Sequence, residues 1–227
     1  MYYEPNVLDH GLPFDPFKSC VVPRPIGWIS TTSLEGKDNL APFSQFQNVT
    51  FDPPTILFVA NQRSSGGRKD TVRNIEETGE FVWNMATYAL RNAVNITSEE
   101  FERGVDEFEQ AGLSKAPSRQ VKPPRVAESP IHFECRHIQT IRVPGNSPMG
   151  TVDLILGRVV GIHISDAVLH DGKVDIASIR PLARLGYFEY CSVERAFKIL
   201  PPNNSALRAG LEGSAEGVKR ALGRKAL

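Results

Sequence analysis

One apolar run, Thr55-Ile56-Leu57-Phe58-Val59-Ala60, constrains the fold of this chain more than any other stretch. It has the length of a strand and is launched by Pro53-Pro54, a pair that cannot sit inside a central strand, so it reads as a core strand with a sharp entry. The segments on either side repeat the theme. Residues 26–31 are β-rich, Leu34-Glu35-Gly36-Lys37-Asp38 has turn chemistry, and residues 39–49 resume in extended form, which together read as a hairpin. After a polar loop over residues 61–68 with Gly66-Gly67, Asp70 or Thr71 is a candidate helix N-cap. Val72, Ile75 and Glu76 then follow at helical spacing up to Gly79, a candidate C′ residue. Phe81-Val82-Trp83-Asn84-Met85 reads as the next strand.

Residues 87–96 and 98–110 have helical pattern, with Thr87 and Ser98 as caps and Gly104 and Gly112 as interruptions. Residues 114–130 hold Pro117, Pro123, Pro124 and Pro130 among basic side chains and read as a long, solvated surface loop. Ile131, Phe133 and Cys135 alternate with His132, Glu134 and Arg136 in a half-exposed strand that continues to Val143. A turn at residues 144–148 leads to a second long strand, 152–164, with Gly157 or Gly161 as the place to bend. The fold class is mainly β with a few helices. We expect an N-terminal arm over residues 1–17, one domain over 18–200, and an Ala/Gly/basic tail over 201–227 with loose helical spacing.

The 26 basic and 26 acidic residues cancel, so no global field draws the chain to nucleic acid or an anionic membrane. No stretch approaches the ~20 apolar residues of a membrane span, and a cytoplasmic protein is expected. Cys20, Cys135 and Cys191 are far apart and odd in number, which suits free thiols in a reducing compartment. No Gly-x-Ser-x-Gly elbow, His-x-x-x-His pair or Gly-x-Gly-x-x-Gly fingerprint is present, so triad, metal and Rossmann chemistry have no motif behind them. His132 and His137 fall on opposite faces of their strand, and His163 reads as a satisfied strand residue.

What remains is anion capture around residue 70. Lys69 supplies a point charge, Thr71 a hydroxyl and the helix start free N–H groups, a combination suited to phosphate. By itself the tripeptide Lys69-Asp70-Thr71 also fits an ordinary cap with a solvated lysine. Residues 39–46 favour a ligand: Ala41 leaves room for a flat ring, Pro42 limits backbone donation, and Ser44 and Gln45 offer polar contacts. Arg24 between two prolines is held extended, a backbone able to line such a ring.

With Pro23-Arg24-Pro25-Ile26-Gly27-Trp28-Ile29-Ser30-Thr31, Asn39-Leu40-Ala41-Pro42-Phe43-Ser44-Gln45-Phe46, Asp52-Pro53-Pro54, Lys69-Asp70-Thr71, Phe133-Glu134-Cys135-Arg136 and Pro181-Leu182-Ala183-Arg184-Leu185-Gly186 in this order, the chain resembles the flavin reductase-like family of FMN-binding split β-barrels. The resemblance covers roughly residues 18–195. It implies a barrel of antiparallel strands that holds FMN, or the larger FAD, at a homodimer interface. Carried onto this chain, Lys69, Asp70 and Thr71 would meet the phosphate with Ser30, Thr31 or Thr32. Ala41, Pro42, Phe43, Ser44, Gln45 and Phe46 would contact the ribityl chain and ring. Arg24, Pro25 and Ile26 would border the flavin, and Arg184 and Tyr187 would lie near the dimer seam or substrate side. The family's activity implies NAD(P)H as cosubstrate, with free flavin or a partner oxygenase receiving the electrons; no side chain is assigned a catalytic role, because the flavin carries the hydride chemistry. A flavin-binding electron carrier and a non-catalytic structural barrel are the alternatives. Pro148-Met149-Gly150-Thr151 departs from the histidine that relatives often carry before the late strand, and His137 stands where an apolar residue is usual.

Overall fold

A computed structural model describes residues 1–199 and Gly213. The unit Met1–Glu194 carries the fold, and the expected tail over 201–227 lies outside the described residues apart from Gly213. Seven strands form its central antiparallel sheet: β1 Gly27–Thr32, β2 Asp38–Phe43, β3 Phe46–Phe51, β4 Pro54–Asn61, β5 Glu80–Met85, β6 Ile131–Val143 and β7 Val152–Ile164. Their order is β2-β1-β5-β6-β7-β4-β3. A helix, α1 Asp70–Thr78, crosses from β4 to β5, and two shorter helices follow, α2 Arg91–Ile96 and α3 Glu107–Gln110.

The expected hairpin forms between β1 and β2, where Ile29 faces Ala41 and Thr32 faces Asp38. The extended run 39–49 is not one strand, however. It breaks at Ser44 and Gln45, and β3 turns away to pair with β4, Phe46 against Phe58. The change of partner across Ser44 and Gln45 lets the sheet curl toward closure, because β2 and β3 end on opposite edges of the strand order.

β7 bends at both candidate glycines. Its register with β6 shifts between Leu156 and Gly157 and again between Val159 and Gly161. At Gly157 the reason is steric: a Cβ there would lie 2.2 Å from Cζ of Phe81. Phe81 and Phe58 are fully buried, with ring centroids 5.7 Å apart, and Phe58 meets Phe43 at 4.9 Å. Trp83 stacks on Phe46 at 5.2 Å and packs against Phe133 at 4.6 Å. These rings fill the space under the curled sheet and fix the corner between β2 and β3.

α1 ends as expected, with Gly79 at φ 73° and its N–H bonded to Ile75 O. Its N-cap is Lys69, one residue before the two candidates, and Asp70 is already helical. The helical readings of 87–96 and 98–110 shrink to α2 and α3. The Trp28 indole donates to Thr97 Oγ1 at 2.9 Å, and Gly104 adopts φ 86°, so the chain between the two helices is an anchored loop. Asp106 caps α3 by accepting the N–H of Phe108.

The proline-rich segment is less solvated than expected. Residues Lys115–Ala116 pair with Arg125–Val126, and the fully buried Glu134 carboxylate accepts the N–H groups of Arg119, Gln120 and Val121. His163 also donates to Glu134; burial pushes this carboxyl's pKa up, but the imidazole and backbone donors outweigh it and the net shift is downward. His132 and His163 are direct cross-strand partners, a proximity that spacing along one strand does not reveal. Among the described residues no helix is long and apolar enough to cross a membrane.

Candidate functional site

Where β2 gives way to β3, the chain leaves a cleft of about 210 Å³. Ala41, Pro42, Phe43, Ser44 and Gln45 form one wall, Lys69 and Thr71 at the start of α1 a second, and residues 97–101 a third. The Gln45 carbonyl accepts the N–H of Val59 at 2.9 Å, which ties the corner to β4. Asn61 and Met149 close one end, with the Asn61 amide donating to Met149 O at 2.6 Å. The segment Pro148-Met149-Gly150-Thr151, which departs from the family pattern, thus sits at the rim of the cleft.

Thr71 is buried, and its hydroxyl accepts from Asn39 Nδ2 at 2.9 Å. This bond joins α1 to β2 and orients the helix start toward the cleft. Asp70 does not line it. Its carboxylate is clasped by Arg63 at 2.9 Å and Arg103 at 3.0 Å, which holds the preceding loop against α1.

Lys69 Nζ lies 3.2 Å from Glu100 Oε1, and the same carboxylate accepts from Ser64 N at 3.2 Å and Ser64 Oγ at 2.7 Å. The Ser64 hydroxyl, opposed by burial and aided by the Ser64 N–H and Lys69, lowers the Glu100 pKa. A second carboxylate, Glu107, forms part of the floor; burial raises its pKa to about 7 although it accepts the N–H of Leu40. The Lys69 ammonium on one wall, together with the Ser64 hydroxyl and N–H beside the cleft, therefore already holds an oxyanion, while the wall at the β2–β3 corner combines Ala41, Pro42 and Phe43 with the polar Ser44 and Gln45. That donor set fits a phosphate monoester with a ring attached.

An adjoining cavity of about 330 Å³ shares Pro42, Ser44 and Ser98 with the first. Ile26, Arg184, Phe188 and Tyr190 line it. The Arg184 guanidinium stacks over the Tyr190 ring at 4.6 Å and donates to Tyr187 O and Tyr190 Oη. Tyr187 stands at φ 53° with its ring 5.3 Å from that of Phe14.

Other residues singled out in the sequence lie elsewhere. Arg24 and Pro25 pair with Arg184 and Ala183 in a small three-stranded sheet, and the Arg24 guanidinium is tied to Val21 O at 2.7 Å and Leu185 O at 2.8 Å. The Ser30 hydroxyl donates to Pro124 O, Thr31 accepts from Asn74 of α1, and Thr32 donates to Asp38, and none of the three lines the cleft. Phe46 is stacked under Trp83. Conversely, Ser98, Glu100 and Glu107 line the cleft, with Ser64 bonded to Glu100 behind it, although the sequence pattern marks none of the four as a ligand. The one available hint was that the 98–101 run is too acidic for its neighbours, which becomes meaningful only once Lys69 is placed opposite it.

An antiparallel barrel with a cleft at the β2–β3 corner and a helix start at its mouth defines the class, a split barrel. The chain belongs to the flavin reductase like domain family, which it matches over residues 19–183. It is similar to an uncharacterized protein of Aquifex aeolicus, 40% identical over 167 residues, which are 73% of this chain and 82% of that one. It is likewise similar to YwrF of Bacillus subtilis, 32% identical over 185 residues, 81% of this chain and 90% of the other. Component B of nitrilotriacetate monooxygenase from Bacillus cereus superposes with a TM-score of 0.80 at 29% identity, covering 88% of this chain and 98% of that one. The flavoredoxin of Desulfovibrio vulgaris, at TM-score 0.66 and 21% identity over 82% of this chain and 93% of its own, shows the shared fold.

Proposed function

We propose that the protein is an NAD(P)H-dependent flavin reductase that binds FMN in the cleft between the β2–β3 corner and α1. The observation that carries this reading is the donor set of Ser64 and Lys69, which holds a carboxylate where a phosphate would sit. Lys69 and Ser64 would hold the phosphate. The wall Ala41, Pro42, Phe43, Ser44 and Gln45 would run beside the ribityl chain and ring, and the adjoining cavity with Ile26 and Arg184 would leave one ring face open. When bound, the flavin supplies the redox chemistry, accepting a hydride as the nicotinamide leaves oxidised. The protein's own residues position the ring, limit its solvent exposure and neutralise its phosphate.

The likeness to component B of a monooxygenase supports a partner oxygenase, beside free flavin, as the electron acceptor. A homodimer is supported by the outer face of β7, where Val160, Ile162 and Ile164 alternate toward solvent. Purified protein should show a flavin absorbance spectrum after incubation with FMN and desalting, and should bleach on anaerobic titration with NADH or NADPH. A flavin spectrum that neither nucleotide bleaches would instead identify an electron carrier reduced by a protein partner. Failure to bind FMN at all would leave a structural barrel.

A further inference from the structure

We propose that Glu100 is an internal competitor for the cofactor phosphate, so that it sets how tightly a phosphorylated flavin is held. The inference rests on the reading that the cleft takes the FMN phosphate. Glu100 engages the donors that a phosphate needs: Ser64 N at 3.2 Å, Ser64 Oγ at 2.7 Å and Lys69 Nζ at 3.2 Å. While it does so, the Lys69 charge is neutralised and an entering dianion meets carboxylates without a free cation. A phosphate monoester can bind only as the Glu100 side chain swings out and hands over those donors.

The local structure allows that motion. The Glu100 side chain is 30% exposed, so it exchanges protein donors for water at low cost. The segment that carries it is held independently of its carboxylate. Arg63 Nη1 donates to Phe101 O at 3.0 Å on one side, and the Trp28 indole holds Thr97 at 2.9 Å on the other. Release of Glu100 is therefore a change of one rotamer and leaves the loop in place. Riboflavin, which has the same ring but no phosphate, has no need to displace it. The contact lowers affinity for FMN selectively and favours an exchangeable flavin over a permanently bound one.

The test is Glu100→Gln, which keeps the side-chain shape and an acceptor for Ser64 but removes the charge. Flavin fluorescence quenching should give a Kd for FMN about five- to tenfold lower than wild type, and a Kd for riboflavin within about twofold of wild type. Inorganic phosphate should raise the melting temperature of Glu100→Gln more than that of the wild type at equal ionic strength. Equal weakening of FMN and riboflavin would show that Glu100 is a structural tether and overturn the proposal, as would an unchanged Kd for FMN. If wild type and variant both fail to bind either flavin, the cofactor reading fails; the response to inorganic phosphate then still decides whether Glu100 guards an anion site.

Discussion

The Glu107 carboxylate accepts the backbone N–H of Leu40 at 2.9 Å, which fastens α3 to β2 beneath the cleft. Burial raises this carboxyl from 4.5 to about 7. The folded chain therefore holds a proton that the unfolded chain has already released. The stabilisation is full below the unfolded value and is lost as pH rises to about 7. Its size is on the order of 2–3 kcal/mol. In urea unfolding at pH 5 and pH 8, Glu107→Gln should gain stability at pH 8 relative to pH 5 when compared with the wild type, because the contribution that falls with rising pH is removed. A slope unchanged by the substitution would mean that Glu107 does not titrate in this range.

His132 acts in the opposite sense. Its ring is buried with Nε2 2.8 Å from Val126 O, and burial lowers its pKa from 6.5 to about 4. Its contribution is present above pH 6.5 and is lost as pH falls toward 4. Between pH 4.5 and 6.5 the Glu107 and His132 slopes oppose each other. His132→Gln should therefore leave a chain that becomes more stable on acidification across that window, measured as the urea midpoint.

Lys69→Ala should weaken FMN binding by about 1–2 kcal/mol, because a partly exposed charge-assisted contact is lost. Riboflavin should be affected far less. Parallel Kd measurements check this, and equal losses would remove Lys69 from the phosphate.

Gly157→Ala places a methyl 2.2 Å from Phe81 Cζ in the centre of the sheet. The overpacking should cost about 1–3 kcal/mol in urea unfolding. Part of that loss should return in the double variant with Phe81→Leu, because the two sites share one space. Strict additivity of the two single changes would argue against the close approach.

Trp28→Phe removes the buried indole donor to Thr97, where the ring is fully enclosed. We expect a loss of about 1–3 kcal/mol in stability. Faster hydrogen exchange should be confined to the loop between α2 and α3.

The strands at 55–60, 81–85, 131–143 and 152–164, the end of α1 at Gly79 and the bends in β7 were legible because each depends on local chemistry. Apolar runs, proline starts and glycine stops act over a few residues. The helical reading of 98–110 failed because tertiary anchors on Thr97, and the turn at Gly104, outweigh a modest local propensity. The family resemblance implied Ser30, Thr31 or Thr32 beside the phosphate. Their hydroxyls engage Pro124, Asn74 and Asp38, partners brought to them by the loop pinned at Glu134, by α1 and by β-pairing.

By itself the sequence determined the mainly β class, the run of motifs from Pro23 to Thr71, and Lys69 as the charge before a helix start, all matters of residue type and short spacing. Only the tertiary structure decided what stands opposite that charge. Glu100 comes to Lys69 from 31 positions away and Glu107 to Leu40 from 67, from a segment whose helical pattern says nothing of what it will face. Contacts of that separation are settled by how the sheet curls and which loops the buried aromatics anchor, and no local pattern encodes them.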